Sequence, residues 1–301
     1  MYARLLGIVN RRRLDRKLSA FLNTPPSPSA PDAGHSLLSL VCERDVKPYL
    51  LAVKSMARFL APRRVYAVND GSLTAASREL LARHVGGLEL LDMRDFHHPS
   101  CPSGGCWERL LAIAELSREE SIVQMDSDIV VLREPTEVVE ALGGEVAFTL
   151  GNWEGQGVDT MAHRRRMTLE KLYREGCHVQ VAAEAAFDRL RDFDSLRYIR
   201  GCAGFAGFPK GGVDPAFIHG ISEEFFGILG ERWREWGTEQ VMSNIVVANA
   251  ARPSVLPFSR YTNCNNLDDM GLPSLVHFIG PCRFSTGKYR TAADMVLRAG
   301  S

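Results

Sequence analysis

Between Ser36 and Met125 the chain alternates short apolar runs with longer segments whose apolar residues recur at helical spacing. The short runs predict strands, namely "SLLSLVC", "RVYAVND", "LELLD" and "SIVQM". The longer segments predict helices, namely "KPYLLAVKSMARFLAP", "AASRELLARHV" and "CWERLLAIAELSREE". This alternation is typical of an α/β fold with a mainly parallel central sheet and helices on both faces. Ligands of such sheets bind beyond the carboxyl ends of the strands, so polar residues there are considered first.

Beyond a further predicted strand at residues 146–150, the pattern is less regular and shows no internal repeat. Three later segments have helical spacing, namely "DTMAHRRRMTLEKLYREG", "VAAEAAFDRLRDFDSLRYI" and "TEQVMSNIVVANA". Between the last two lies the glycine-rich stretch "GCAGFAGFPKGG". "SLVHFIGP" predicts a final strand that runs into a loop.

The first 35 residues differ from the rest of the chain. "MYARLLGIVNRRRLDRKLSAFLN" is basic but lacks the apolar core and cleavage site of a signal peptide, and "NTPPSPSAPDAGH" predicts an extended linker. Leu14, Leu18, Phe21 and Leu22 share one helical face, so the leader is either a solvated helix or an interfacial helix on a membrane. We therefore predict a leader and linker over 1–35 that has little to pack with and is dispensable for folding. A single domain over 36–301 follows.

Composition excludes some classes of function. Lys plus Arg and Asp plus Glu both number 36, so a net charge of zero gives no general reason to expect a nucleic-acid partner. No apolar run reaches the roughly 18 residues that cross a bilayer. Seven cysteines, an odd number at irregular spacings, predict free thiols in a reducing compartment. These features predict a cytoplasmic protein whose leader is the only segment suited to the inner face of a membrane.

Two aspartates, Asp126 and Asp128, follow the predicted strand "SIVQM". In an extended segment residues i and i+2 point to the same side, so both carboxylates can reach one Mn²⁺ or Mg²⁺ ion. A solvent-exposed turn is the alternative. A second such triplet, 192–194, lies in a charged stretch of helical spacing, where its two carboxylates diverge and predict a solvated face.

Other polar residues also follow predicted strands. Asp70 lies in "VNDGS", at the end of the predicted strand "RVYAVND", and His277 lies between the final strand and Gly280. A neutral imidazole can complete a mixed oxygen–nitrogen metal site. Gly280 lets backbone approach a diphosphate, which Arg283 or Lys288 can neutralise. An Asp-Gly turn and a structural histidine are the alternatives for the first two.

Three further polar residues lie on predicted helices. Glu239 and Gln240 open a helix after Thr238, a predicted N-cap, and a capped surface helix is the alternative. Arg109 lies on the helix before "SIVQM", where a solvated arginine is the alternative. Trp233 and Trp236 either pack in the core or offer a ring to a sugar.

Together these motifs resemble the GT-A nucleotide-sugar glycosyltransferases, and most of all glycosyltransferase family eight, the glycogenin and galactosyltransferase type. The resemblance covers roughly residues 36–290 and rests on four stretches, "CWERLLAIAELSREESIVQMDSDIVVL", "GCAGFAGF", "EQVMSN" and "VHFIGPCRF". The chain departs from the family at Cys42-Glu43, where a nucleotide-contacting Asp is common, and at Cys202, where an Asn is usual. Arg283 stands where the family has Lys, and "FST" replaces a Pro-Trp pair.

The resemblance implies a GT-A domain with a Rossmann-like sheet and metal-dependent transfer of a sugar from a nucleoside-diphosphate sugar, such as a UDP-sugar, with retention. The acceptor, whether sugar, lipid-linked or protein, stays open. The implied metal ligands for Mn²⁺ (or Mg²⁺) are Asp126, Asp128 and His277. The implied donor-binding residues are Asp70, Asp126, Gly280, Arg283 and Lys288. The implied catalytic residues beside the sugar are Arg109, Glu239 and Gln240. A sugar-phosphate nucleotidyltransferase and a non-catalytic sugar-nucleotide-binding homologue are the alternatives.

Overall fold

The structure, a computed structural model, describes residues 2–267, 271–280 and 282–299. The helices of this part are α1 (Tyr2–Leu18), α2 (Val46–Ala57), α3 (Ala75–His84), α4 (Trp107–Leu116), α5 (Thr136–Gly143), α6 (Met161–Lys171), α7 (Val179–Ala185), α8 (Pro215–Leu229), α9 (Thr238–Ala248), α10 (Cys282–Ser285) and α11 (Lys288–Ala299). The strands are β1 (His35–Val41), β2 (Val65–Asn69), β3 (Leu88–Asp92), β4 (Ser121–Met125), β5 (Ile129–Val131), β6 (Ala147–Leu150), β7 (Asp159–Thr160), β8 (Arg197–Tyr198), β9 (Cys202–Phe208), β10 (Pro253–Leu256), β11 (Tyr261–Asn263) and β12 (Leu275–His277).

Seven strands form the central sheet in the order β10-β6-β9-β4-β1-β2-β3. The pairs β1–β2, β2–β3 and β10–β6 are parallel, and β6–β9 is antiparallel. β1, β2, β4 and β6 are almost continuously buried, as strands covered on both faces must be. The predicted α/β fold with a mainly parallel central sheet is therefore confirmed.

Two segments had no predicted element, and one predicted helix is shorter than expected. The glycine-rich stretch forms β9. Its residue Gly207 lies opposite Phe148 of β6, where any larger side chain would clash with the phenylalanine ring. The unpredicted helix α8 begins at Pro215 and is capped by Asp214, whose carboxylate accepts from the Ala216 backbone N–H. The predicted helix over 181–199 ends early, since α7 stops at Ala185 and turns follow.

The chain divides into two compact units. Unit 1 comprises Met1–Asp92, Val123–Glu140 and Pro257–Ser301, and unit 2 comprises Met93–Ile122 and Ala141–Leu256. Unit 1 also holds a second sheet, in the order β11-β12-β5. In unit 2, the fully buried Trp233 stacks on Phe225 at 4.2 Å and donates from its indole N–H to Ser222.

The expectation that the leader has little to pack with is wrong. Leu14, Leu18 and Phe21 are at most 3% exposed. They join one apolar cluster of unit 1 with residues of α11, β5 and β12, among them Tyr289 and Val276. The shared helical face therefore covers a protein core. No helix in the described ranges is long and apolar enough to cross a membrane.

The Pro- and Ser-rich segment is also attached to unit 1. The backbone N–H of Ser27 donates to the carbonyl of His84 at 2.9 Å, and that of Ala30 donates to the carbonyl of Pro62 at 2.8 Å. Ser27 is buried, and its hydroxyl accepts from the N–H of Gly86. Because its polar backbone groups have fixed partners, this segment is anchored along its length.

The expectation of free cysteines is wrong for one pair. Cys264 and Cys282, 18 positions apart, form a disulfide with their Cα atoms 6.1 Å apart. The bond links the residue that follows β11 to the first residue of α10. Cys42, Cys101 and Cys177 are free thiols, as expected.

Replacing Leu14 by Ala tests whether the leader helps to stabilise unit 1. Leu14 is 3% exposed, and Val9 on the same helix is 42% exposed. We expect Leu14→Ala to lower the free energy of unfolding by about 2–5 kcal/mol, because it leaves a cavity. Val9→Ala should change it by less than about 0.5 kcal/mol. Denaturant unfolding measures both, and equal small effects would show that the leader does not stabilise the fold.

Candidate metal and nucleotide site

Asp126 and Asp128 lie in the short connection between β4 and β5. The backbone N–H of Ile129 donates to the carbonyl of Asp126 at 3.2 Å, so the connection is a turn and not the extended segment that the sequence suggested. The turn is not the solvent-exposed one of the alternative interpretation, since Asp128 is 4% exposed. The Asp126 side chain is partly open to solvent and accepts from the amide of Gln124.

His277 reaches the aspartates through backbone pairing. β12 and β5 are antiparallel, and His277 lies directly opposite Ile129, the residue that follows Asp128. The backbone N–H of Phe278 extends this ladder by donating to the carbonyl of Asp128 at 3.0 Å. Since register fixes which side chains meet across two strands, this pairing sets His277 beside Asp128.

The three side chains converge on one point. The Nε2 atom of His277 lies 3.1 Å from Oδ1 of Asp128 and 3.6 Å from Oδ2 of Asp126. One ligand atom from each residue lies within 4.8 Å of the other two. The set offers two carboxylate oxygens and one imidazole nitrogen, which is a donor set suited to Mn²⁺.

Arg283 balances the charge of the buried carboxylate. Its guanidinium pairs with Oδ2 of Asp128 and, at 3.1 Å, with Oδ1 of Asp45. Burial by itself raises the pKa of Asp128, but His277 and Arg283 outweigh burial and hold this pKa at about 2. Asp128 is therefore ionised throughout the neutral pH range.

The strand that follows Asp128 is fixed from both sides. Val130 and Val276 lie opposite each other in the β5–β12 pair, and both belong to the apolar cluster that contains the leader. The edge of β5 is bound by α2, where Ser55 accepts from the N–H of Val131 and Arg58 donates to the carbonyl of Val131, each at 3.0 Å. The turn that carries the aspartates is thus attached to rigid, buried elements.

A cavity of about 980 Å³ in unit 1 is lined by Gly280 and Arg283. Gly280 has φ +48°, and a Cβ there would meet nothing within 4 Å, so its backbone borders open space. The walls carry five arginines and two aspartates, namely Arg11, Arg12, Arg16, Arg44, Arg283, Asp15 and Asp45. This excess of positive charge favours an anionic ligand.

Two predicted donor residues have other surroundings. Lys288 lines a separate, mostly apolar cavity of about 330 Å³ together with Val276 and Phe278. Asp70 directly follows β2 and forms an Asx turn, in which its Oδ1 accepts from the backbone N–H of Ser72 at 2.9 Å. The Asp-Gly turn proposed as the alternative for Asp70 is therefore present.

The three predicted catalytic residues lie in unit 2. Arg109 and Glu239 form a buried ion pair with an Nη2–Oε1 distance of 3.1 Å, so Arg109 is not a solvated helix residue. Gln240 is half-buried, accepts from the backbone N–H of Ala203 and donates to Gln180 at 3.2 Å. These contacts exclude a simple surface helix.

The structure also gives the positions of Thr238, of the two tryptophans near it and of the second aspartate pair. Thr238 is the first residue of α9 and not its cap, because Gly237, with φ +106°, occupies the cap position. Trp233 is fully buried, whereas Trp236 is 74% exposed. Asp192 and Asp194 are exposed, as expected, but lie in a turn and not on a helix.

Sequence reasoning missed Asp45 and the arginines of α1. Asp45 accepts a hydrogen bond from Nη1 of Arg283. The arginines of α1 line the same cavity as Arg283 and Asp45. The cluster of basic residues was visible in the sequence, but only the packing of α1 on unit 1 gives it a position. No signal in the sequence marked Asp45.

Comparisons with known proteins give structural relatives only. No protein-family model matches the chain, and no curated protein matches it. The apo structure of the bifunctional glycosyltransferase WbbM matches at 15% identity with a TM-score of 0.51 and covers 83% of this chain. The apo glycosyltransferase GlyE of Streptococcus pneumoniae TIGR4 matches at 13% identity with a TM-score of 0.51 and covers 89%.

This chain spans only part of each relative, 46% of the length of WbbM and 64% of that of GlyE. Both relatives are GT-A glycosyltransferases. At such low identity the likeness concerns the fold alone. The chain therefore has the fold of the GT-A glycosyltransferases.

Proposed function

We propose that this chain is a metal-dependent glycosyltransferase that takes a sugar from a nucleoside-diphosphate sugar. The convergence of Asp126, Asp128 and His277 at one edge of a GT-A fold is the observation that carries the proposal. A UDP-sugar donor and retention of configuration follow from the resemblance to family eight. The acceptor class stays open among sugars, lipid-linked saccharides and proteins.

The three side chains fit a divalent cation. Asp128 is ionised and buried, and Asp126 offers a second carboxylate that is open to the surroundings. His277 supplies a nitrogen, which distinguishes this set from the all-oxygen sites that Mg²⁺ prefers and favours Mn²⁺. A bound cation would stabilise the negative charge that develops on the departing nucleoside diphosphate.

Arg283 is proposed to exchange partners when the donor binds. In the structure its guanidinium pairs with both Asp128 and Asp45. A planar guanidinium binds phosphate oxygens with the same two-pronged geometry that it uses for a carboxylate. Released from Asp128, it can neutralise the diphosphate while Gly280 lets backbone approach the phosphate oxygens. We assign this role to Arg283 and not to Lys288, which lines another cavity.

The leader is proposed to form a wall of the donor cavity. Arg11, Arg12 and Arg16 of α1 line the same cavity as Gly280 and Arg283. Their charge favours entry of an anionic donor and slows its escape at low ionic strength. Asp70 at the end of β2 remains our proposal for a contact with the base or ribose.

The sugar-side residues of unit 2 are proposed on the resemblance. Gln240 is only half-buried and retains an accessible part, so it is the best suited of the three to contact a sugar. Arg109 and Glu239 are buried against each other, and we propose that they position the start of α9, which carries Gln240. The exposed ring of Trp236 is available to stack on an acceptor sugar.

One observation favours a second function, that of a non-catalytic sugar-nucleotide-binding homologue. Arg283 already pairs with Asp128, so this buried carboxylate has a positive partner within the chain. Release of the nucleoside diphosphate separates the two functions. Incubation with a panel of nucleotide sugars and Mn²⁺ should yield Mn²⁺-dependent release if the chain is an enzyme. Binding of UDP with no release from any donor would favour the homologue.

The two aspartate pairs should behave differently. Asp126→Asn and Asp128→Asn each keep the side-chain shape but remove a charged ligand, so Mn²⁺-dependent binding of UDP should largely disappear. Asp192→Asn and Asp194→Asn serve as matched controls, because both carboxylates are exposed, and should change stability by no more than about 0.5 kcal/mol. Calorimetric titration with UDP and Mn²⁺ measures all four. Equal losses in both pairs would exclude Asp126 and Asp128 as specific ligands.

His277→Ala should weaken Mn²⁺ affinity and activity together. Because only a neutral imidazole can bind a metal, the Mn²⁺ affinity of the wild type should also fall as the pH is lowered through the imidazole range. The measurement is Mn²⁺ affinity with UDP present, at matched folded fraction, with the more exposed His163→Ala as control. A purely structural histidine would instead lower thermal stability and leave the affinity of the folded protein unchanged.

The Arg109–Glu239 pair should show strong coupling in a double-mutant cycle. Arg109→Met removes the ion-pair partner of a buried carboxylate and should cost about 3–5 kcal/mol of stability. Adding Glu239→Gln removes that charge and should restore much of the loss. Denaturant unfolding measures the cycle, and additive losses would contradict the proposed positioning role.

A further inference from the structure

Unit 2 contains a second cluster of metal-ligating side chains, made of His98, Cys101 and His219. One ligand atom from each residue lies within 4.8 Å of the other two. The first two residues lie in the loop between β3 and α4, and His219 lies on α8. None of the three belongs to the proposed donor site.

The backbone already brings the loop ligands together. The N–H of Cys101 donates to the carbonyl of His98 at 2.9 Å, so the sequence "HPSC" forms a single turn. Residues at i and i+3 of such a turn can bind one ion, which is the spacing that many zinc sites use. The helix that supplies His219 is fixed by its Asp214 cap and by the burial of Ile218 and Ser222 on either side of His219.

A supporting partner lies beside the thiol. Burial raises the pKa of the Cys101 thiol to about 11, and the neighbouring hydroxyl of Ser222 partly offsets this rise; the same hydroxyl accepts from the indole N–H of Trp233 at 2.9 Å. The hydroxyl hydrogen is therefore available to the sulfur. A hydrogen bond of this kind stabilises a metal-bound thiolate and orients it.

The two imidazoles are stacked, with ring centroids 3.5 Å apart and planes within 3°. Because an imidazole binds a metal in the plane of its own ring, one of the two rings must rotate before both can bind the same ion. The Ser100 N–H donates to Nδ1 of His98, which leaves Nε2 as the nitrogen for an ion. Binding through Nε2 moves the ring proton to Nδ1 and gives up this hydrogen bond.

We propose that His98, Cys101 and His219 bind one Zn²⁺ ion that clamps the 97–106 loop to α8. Two nitrogens and one sulfur form a softer donor set than the carboxylate-rich site of unit 1. The softer set favours Zn²⁺, and the carboxylate-rich site favours Mn²⁺. On binding, the Cys101 thiol releases its proton and a sulfur–zinc bond forms, with no change of oxidation state. Three protein ligands leave a fourth position for water.

The 97–106 loop leads directly into α4. It ends at Gly104, Gly105 and Cys106, which all have positive φ, and Cys106 is the cap of α4. Helix α4 carries Arg109, the partner of Glu239. Fixing the loop to α8 therefore restrains the start of the helix that holds this buried pair.

Cobalt is the most informative probe, because a cobalt–thiolate bond absorbs in the near ultraviolet. Full-length protein carrying Asp126→Asn and Asp128→Asn is stripped with a chelator and titrated with Co²⁺, so that the site of unit 1 does not compete. We expect one Co²⁺ per chain with a thiolate charge-transfer band, and displacement by one Zn²⁺. Cys101→Ser should abolish the band, and His219→Ala should weaken Zn²⁺ affinity by at least about tenfold.

Cys177→Ser is the matched control, because Cys177 is a free, half-buried cysteine of the same unit. It should keep the band and the affinity. If Cys101→Ser does not fold, His98→Ala provides the test through its thermal unfolding midpoint with and without Zn²⁺. Zn²⁺ should raise the midpoint of the parent protein and leave that of His98→Ala unchanged. Absence of a charge-transfer band in the parent, or its survival in Cys101→Ser, would overturn the proposal and leave a packed histidine pair beside a buried thiol.

Discussion

The antiparallel pairing of β5 with β12 is the constraint on which the candidate site depends. Three residue pairs form this ladder, and the last pair brings His277 opposite Ile129. A slip of one residue would turn His277 to the other face and separate it from Asp128. The neighbouring pair, Val130 and Val276, is held in an apolar cluster, so a slip would also expose buried side chains. The hydrophobic core and the metal-ligand geometry therefore require the same register.

The leader contributes to this register. Leu14, Leu18 and Phe21 belong to the cluster that contains Val130 and Val276. Removing their contacts would weaken the core behind the ladder, and the arginines of the same helix line the cavity in front of Arg283. The apolar face of this helix thus packs on the core behind the site. Its basic face gives the wall of the cavity next to Arg283 a positive charge. This division explains why a basic segment with an apolar stripe does not require a membrane.

Charge at the centre of the site is balanced internally. Asp128 is buried, and a buried carboxylate without a partner is strongly destabilising. Arg283 supplies that partner, with Asp45 on its other side. The proposed donor would supply a phosphate for Arg283 to bind. The proposed cation would supply the positive charge that Asp128 needs once Arg283 has left it. Exchange of partners therefore leaves no buried charge uncompensated at either stage.

Local pattern predicted the parts of the fold that are locally encoded. The strands before Asp70 and Asp126 and the helices between them follow from hydrophobic spacing, and the Asp126–Asp128 pair follows from its place after a buried strand. His277 required the resemblance, because it lies about 150 residues away and meets the aspartates only through β12. Arg283 was assigned to phosphate, and its contact with Asp128 depends on a loop conformation that spacing does not encode. The Cys264–Cys282 bond was hidden for the same reason.

The packing of the leader could not be predicted, because an apolar stripe on a basic helix fits a membrane, water or a core equally well until the partner surface is known. The strand β9 was hidden by its small residues, of which Gly207 is required by the ring of Phe148 and not by strand propensity. In each case the missing information was a contact between residues far apart in the sequence. The locally encoded elements needed no such information.

A crystal structure of the protein grown with Mn²⁺ and UDP, with anomalous scattering recorded for manganese, tests the central claim most directly. We expect one anomalous peak within coordination distance of Asp126, Asp128 and His277, in contact with the diphosphate, and Arg283 turned from Asp128 to a phosphate oxygen. A peak that lies elsewhere, or a bound UDP with Arg283 still paired to Asp128 and no manganese between them, would contradict the account.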